Sequence, residues 1–226
     1  MNSSQSHVEN LRQAATALNL TLDERQESAI LAYMAQIQKW NKTYNLTALR
    51  QPEQILVQHV LDSLAVVSPI QDFLQTRSGN DETLIVDVGS GAGLPGTLLA
   101  IMHPEWRVYC VDAVEKKMAF VRQMSSILGL PNLHAVHGRV EQLPVYNADI
   151  VVSRAFASLP DFVQWASRHA GPDGVVLAMK GRVPQDEIDA LHDAQAQWRV
   201  ERVEALHVPL LDAQRCLVWL HRQGNS

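Results

Sequence analysis

Up to about residue 75, apolar residues recur at helical spacing. Val8, Leu11, Ala15 and Leu18 fall on one stripe, and Ile30, Tyr33, Met34, Ile37 and Trp40 on a second. Thr21 is the predicted cap of the second helix, with Glu24 three residues on as its capping-box partner. A third helix is predicted from Glu53 to Val67, carrying Ile55, Val60 and Leu64. Pro52 suits its start, and Pro69 is expected to end or bend the path. From Leu84 the rhythm changes to short apolar runs separated by helical patterns. The predicted strands are Leu84-Asp87, Arg107-Val111, Leu133-His137, Ile150-Ser153, Gly174-Met179, Arg199-Leu206 and Cys216-Leu220. Helices are predicted at Pro95-Met102, Glu115-Leu128, Leu159-His169 and Gln185-Gln195.

This alternation predicts an α/β fold whose sheet is mostly parallel and covered on both faces. The link from His207 to Gln214 is too short for an ordinary crossover helix, so the last two strands are expected to pair antiparallel. The polar segment from Arg77 to Glu82 reads as a linker. It divides the chain into a helical extension, residues 1–78, and a sheet-bearing core, residues 79–226.

The run Asp87-Val88-Gly89-Ser90-Gly91-Ala92-Gly93-Leu94-Pro95-Gly96 stands between a predicted strand and a predicted helix. In that context glycines let the backbone approach a cofactor closely. Asp87 at the head of the run argues against a phosphate as cargo, because a carboxylate suits an ammonium or hydroxyl better. The run therefore reads as a site for S-adenosyl-L-methionine. Asp112 ends the second predicted strand, where a carboxylate can accept both ribose hydroxyls of an adenosine. Val140 is placed to cover the adenine face, with Val140 and Glu141 meeting its edge. Arg154 follows an apolar strand and needs an acceptor. A methionine carboxylate, an RNA phosphate, a guanine edge and a structural acid such as Asp87 all remain open for it. Phe156 offers a ring for stacking or for the core. Lys180 and Arg182 add positive charge on the same rim, which Lys39, Lys42, Arg50, Lys116, Lys117, Arg122 and Arg139 could extend.

Composition narrows the partners. Of 226 residues 46% are hydrophobic, enough for one substantial core with an appended subdomain. With 19 basic against 24 acidic side chains the formal charge is -5, so any nucleic-acid contact must use a local patch. Cys110 and Cys216 lie in apolar runs and are expected as buried free thiols in a reducing compartment. The nine histidines show no metal-ligand spacing, and no metal is expected. The polar start lacks a signal-peptide pattern, and no apolar run is long enough to span a bilayer. The expectation is a soluble, cytoplasmic protein without a membrane partner, with a monomer as the default.

Further motifs carry a resemblance over nearly the whole chain. They are Trp40-Asn41-Lys42-Thr43-Tyr44-Asn45-Leu46-Thr47, His59-Val60-Leu61-Asp62-Ser63-Leu64, the glycine run, Arg139-Val140-Glu141, the stretch from Ser153 to Leu159, and Lys180-Gly181. In this order and spacing they resemble the bacterial small-subunit rRNA guanine-N7 methyltransferase family, historically called glucose-inhibited division protein B. The resemblance implies a class I S-adenosylmethionine-dependent (Rossmann-like) fold with an N-terminal helical extension and a mixed sheet. It implies methyl transfer from S-adenosyl-L-methionine to N7 of one guanine in the decoding region of 16S rRNA. The acceptor is expected within a small ribosomal subunit or an assembly intermediate. Family cofactor positions carry over to Gly89, Leu94, Val140, Glu141 and Arg154, and the wider class pattern adds Asp87, Gly91, Gly93 and Asp112. Arg154 is the expected catalytic residue, through placement of cofactor or guanine. Lys180, Arg182, Phe156, Lys42 and Asn45 are the expected substrate contacts. His59, Asp62 and Ser63 match a family signature and could share a helix face. Other readings are a small-molecule or protein methyltransferase, a nicotinamide-dependent oxidoreductase, and a silent RNA-binding protein on the same core.

Overall fold

The structure is a computed structural model and describes residues 3–77, 82–154, 156, 158–194 and 197–223. The expected boundary at residues 78 and 79, the predicted helix end at Gln195, and Ala155 and Ala157 lie outside the described residues.

Five helical stretches come first: α1 (Ser3–Ala17), α2 (Glu24–Tyr44), α3 (Pro52–Ile55), α4 (Asp62–Leu64) and α5 (Val67–Gln75). The cap of α2 is Asp23, not Thr21. Its carboxylate accepts the Gln26 N–H at 2.7 Å, and the Gln26 side chain accepts the Asp23 N–H at 3.0 Å. The capping box thus sits two residues beyond the predicted one, because the first helical turn starts at Glu24. The single helix expected from Glu53 to Val67 is instead α3 and α4 joined by a π-helical turn, Leu56–Leu61. Pro69 does not end a helix. It lies in the first turn of α5, where an N–H has no intrahelical acceptor to lose.

The rest alternates as expected: β1 (Leu84–Val88), α6 (Gly96–Met102), β2 (Arg107–Asp112), α7 (Glu115–Ile127), β3 (Leu133–His137), β4 (Ala148–Ser153), α8 (Leu159–Ala166), β5 (Ala170–Lys180), α9 (Gln185–Ala194), β6 (Trp198–Leu206) and β7 (Arg215–Arg222). The seven strands run in the order β3-β2-β1-β4-β5-β7-β6. β1 to β5 pair in parallel, and β7 pairs antiparallel with both β5 and β6. Successive strand residues serve opposite faces. Ile85, Ile150, Val152, Val175 and Leu177 join one core with α6, α7 and the N-terminal helices, including Leu11, Ile30, Ile37 and Leu64. Val86, Val151, Val176 and Val218 join the other, under α8 and α9. The helical extension therefore shares its core with the sheet. Both cysteines are buried free thiols. Among the described residues no helix is long and apolar enough to cross a membrane.

Candidate functional site

The chain order reverses between β1 and β4, and a ligand crevice forms at the carboxyl ends of the strands beside such a switch. Two cavities open on that rim, one on each side of the switch.

The first, about 250 Å³, lies over β1, β2 and β3. It is lined by Val88, Gly89, Val111, Asp112, Ala113, Gly138, Arg139, Val140, Glu141 and Phe156. Gly89 and Gly91 have φ of 67° and 60°, and a side chain built on either would meet only open space. The loop thus presents bare backbone where L side chains are strained. Asp112 is almost buried, and its carboxylate accepts the Gly91 N–H at 3.0 Å and the Val114 N–H at 2.9 Å. Its position fixes the loop and leaves oxygen lone pairs for ribose hydroxyls. Val140 and Glu141 open a short 3-10 turn, whose first N–H groups have no internal acceptor. The Val140 carbonyl is taken by His169 and that of Glu141 by Arg168, so the turn is pinned from behind. A bare glycine cradle, a ribose-type carboxylate and free edge donors fit S-adenosyl-L-methionine.

Asp87, Gly93 and Leu94 shape this loop from beneath. Asp87 is fully buried and accepts the Gly96 N–H at 2.7 Å. Burial pushes its carboxyl up to about 7, against smaller opposing effects of the Gly96 N–H and the Arg154 charge. Leu94 is buried, and a side chain at Gly93 would run into Thr97. From α2, the Tyr33 hydroxyl donates to the Ala92 carbonyl at 2.6 Å.

The second cavity, about 420 Å³, lies over β4, β5 and β7, under the segment from Thr47 to Asp62. Its wall includes Thr47, Leu49, His59, Asp62, Arg154, Met179, Lys180 and Arg215. Arg154 pairs with Asp62, 3.4 Å away, and not with Asp87; its Nη1 also donates to the Gln58 carbonyl at 3.0 Å. The other Asp62 oxygen accepts Nε of Arg215 at 2.7 Å. His59 Nε2 lies 2.7 Å from the Thr47 hydroxyl. Burial, reinforced by the Arg154 charge, lowers His59 to about 4, so it is neutral at physiological pH. The π-helical turn places His59 and Asp62 on this wall, while Ser63 is fully buried.

Several expected substrate contacts have other surroundings. Phe156 lines the first cavity and packs against Phe162, 5.2 Å between centroids. Asn45 ends α2 in the left-handed region and accepts from Arg50 at 2.7 Å. Lys180 lines the second cavity, but its ammonium is 2.8 Å from Glu187, which also caps the start of α8 through Leu159 N–H. Lys42 and Arg182 are exposed, and Arg182 lines a groove of about 660 Å³ continuous with the second cavity through Lys180, Gly181 and Arg215. Arg215 was not singled out by sequence reasoning. Its only local signal is a basic residue opening an apolar strand.

A family model described as GidB, rRNA small subunit methyltransferase G, matches residues 26–218. A Bordetella petrii protein named ribosomal RNA small subunit methyltransferase G is 57% identical over 216 residues, 96% of this chain and 83% of that protein. One of the same name from Methylibium petroleiphilum is 50% identical, over 96% of this chain and 95% of its own length. Among solved structures, a SAM-dependent methyltransferase from Aquifex aeolicus aligns with a TM-score of 0.53 at 18% identity, over 83% of this chain and 97% of that one. A 16S rRNA adenine-N1-methyltransferase from Catenulisporales acidiphilia aligns with the same TM-score at 22% identity, over 63% and 86%. These two share the fold, a class I methyltransferase core. By its match to the family model and its identity to these relatives, the chain belongs to the rRNA small subunit methyltransferase G family.

Proposed function

We propose that this chain transfers a methyl group from S-adenosyl-L-methionine to N7 of a guanine in the decoding region of 16S rRNA, within a small ribosomal subunit or an assembly intermediate. The observation that carries the reading is the pair of cavities on the carboxyl rim of the sheet, one bearing the glycine cradle and Asp112, the other bearing Arg154. The names of the relatives supply the ribosomal substrate.

When bound, the cofactor supplies a methyl carbon made electrophilic by its sulfonium. In this reading Gly89, Gly91, Asp112, Val140 and Glu141 hold it, while Asp87, Gly93 and Leu94 set the loop. Guanine N7 carries an in-plane lone pair and no proton, so no side chain has to act as a general base. A neutral His59 and buried thiols are consistent with that economy. The remaining task is alignment of two bound groups. Arg154 follows β4, beside the switch, lines the second cavity and is the residue assigned to this task, held in place by Asp62 and Gln58. Arg182 and Lys42 extend the rim toward RNA phosphates, with Lys180, Phe156 and Asn45 supporting the walls. The helical extension contributes the segment from Thr47 to Asp62 to the wall of the second cavity. In this reading the chain acts as a monomer. A ribosomal substrate supports a cytoplasmic location in this reading.

The experiment is methyl transfer from labelled S-adenosyl-L-methionine to small-subunit particles lacking base methylation, followed by mapping of the modified nucleotide. A single N7-methylguanine in the decoding region is the expected result. Cofactor binding without RNA methylation, on naked RNA and on assembly intermediates alike, would overturn the substrate assignment. The Arg154→Ala variant is expected to lose at least a hundredfold in single-turnover rate, the scale of alignment losses. Wild-type chemistry with wild-type binding of both ligands would sink its role.

A further inference from the structure

We propose that the cavity walled by Arg154 and Arg215 receives a single unstacked guanine, and that Arg215 selects it by donating to O6. This rests on the guanine-N7 reading above and names the specificity element within it.

The topology sets the two guanidinia facing one another. Arg154 follows β4, whereas Arg215 opens β7, which runs antiparallel to β5 and pairs Cys216 with Lys180. The start of β7 therefore lies beside the carboxyl ends of the parallel strands, on the side away from the glycine cradle. Asp62 sits between the two arginines with 6% of its side chain exposed, and each guanidinium is only about a quarter exposed. Arg215 spends Nε on Asp62 and Nη1 on the Gln214 carbonyl, which fixes the plane of the fork. Among the described residues its Nη2 has no protein acceptor. A rigid, oriented donor on a cavity wall is what reading an acceptor requires.

The remaining walls select the acceptor's shape. Met179 is buried and Leu49 half-buried, so the cavity offers apolar surface as well as charge. A flat heteroaromatic ring uses both. A phosphate would use the arginines and leave the apolar surface unmatched. On the Hoogsteen edge of guanine the acceptors are O6 and N7, and N7 must keep its lone pair for the methyl group. O6 is thus the atom free to meet a donor. Adenine presents an amino group at the same place, donor against donor. The charge arrangement limits repulsion of a base that becomes cationic on methylation. Asp62 offsets one of the two guanidinia, Glu187 pairs with Lys180, and a neutral His59 adds no further charge.

The test uses small-subunit particles reconstituted with 16S rRNA carrying guanine, inosine or adenine at the mapped target. Inosine keeps O6 and N7 and lacks only the 2-amino group. Wild-type protein is expected to methylate guanine and inosine within a few fold of each other and adenine far more slowly. Arg215→Lys keeps a cation for Asp62 but loses the fork, and Arg215→Gln removes the charge. Both are expected to lower kcat/KM on guanine by roughly tenfold to a hundredfold and to narrow the guanine-to-adenine ratio, the scale of one lost base contact. Binding of S-adenosylhomocysteine, measured by calorimetry, is expected to be unchanged in both. Arg215→Lys with undiminished guanine activity and selectivity would overturn the proposal. So would a wild type that rejects inosine, since the amino edge would then be what is read. Equal loss of cofactor binding and activity in both variants would also overturn it, by making Arg215 a structural strut. If the wild type methylates no guanine N7 in any particle, it is the underlying functional reading that fails.

Discussion

Asp87 is a carboxyl group held in a fully buried place directly under the glycine loop, and its stability consequence has a definite sign. Its ordinary value is 3.8 and burial raises it to about 7. Between those values the folded protein keeps a proton that the unfolded chain has released. Stability therefore falls as pH rises from about 4 to about 7, and is flat above. His59 acts in the opposite sense. Lowered from 6.5 to about 4, it makes stability rise with pH between those values, so the two slopes oppose one another in the wild type. A difference measurement isolates Asp87. Asp87→Asn keeps an oxygen to accept the Gly96 N–H, and its stability relative to wild type is expected to rise by about 1–3 kcal/mol from pH 5 to pH 8, at 1.36 kcal/mol per pKa unit. Denaturant titrations at the two pH values decide it, and a flat difference would mean an ordinary carboxylate. At this scale the sequence was legible where chemistry is local. The glycine run and Asp112 could be placed because strand, turn and helix are adjacent in the chain. Arg215 could not, because its partner Asp62 lies 153 residues away. For Asn45 and Lys180 the sequence does not disclose the groups they meet, Arg50 and Glu187, because such common surface residues advertise nothing.

Helix α2 shows how an element can be legible while its purpose is not. The stripe through Ile30, Tyr33 and Ile37 predicts a buried face, and all three are fully buried. The stripe does not say that the Tyr33 hydroxyl would cross to the Ala92 carbonyl, 59 residues on, and hold the glycine loop from below. Tyr33→Phe preserves the ring and its packing beside Phe120 while leaving that carbonyl unpaired. The expected loss is about 1–2 kcal/mol of stability, the range for a buried group left without its partner. If the bond also sets the loop, the Kd for S-adenosylhomocysteine rises roughly threefold to tenfold, about 0.6–1.4 kcal/mol. Calorimetry separates the two, since a lower Tm with an unchanged Kd would confine Tyr33 to packing. The π-helical turn is the complementary case. A 3.6-residue period run through Glu53 to Val67 reads as one regular helix, and a single widened turn leaves that count almost intact. Yet this turn carries His59 to Thr47 and leads into Asp62, which meets both arginines.

For the whole molecule, the change from helical to strand rhythm at Leu84 disclosed the layered fold, and the short link before β7 disclosed the antiparallel ending. Rhythm alone did not disclose that the N-terminal helices and α6 share one apolar core, because a stripe shows that a face is buried and not what buries it. Charge is read at this scale too. A chain of net charge -5 that binds RNA must do so through few unpaired cations. The structure pairs several cations with acids: Lys180 with Glu187, Arg122 with Glu115 and Arg107 with Glu82. Arg182 is exposed on the groove that continues from the second cavity, and among the described residues it has no acidic partner. Two variants with the same change in net charge test whether position matters. Arg182→Glu stands on the carboxyl rim of the sheet, whereas Arg107→Glu opens β2 at the opposite end. Arg182→Glu is expected to weaken particle binding about fivefold to tenfold at low salt and to reduce the magnitude of the salt slope by about one, the signature of a lost phosphate contact. Arg107→Glu is expected to leave both unchanged, and cofactor affinity is expected to hold in each. Filter binding across a salt series gives the answer. Equal weakening by the two variants would mean that the RNA responds to the protein's total charge, and the idea of a local cationic rim would fall.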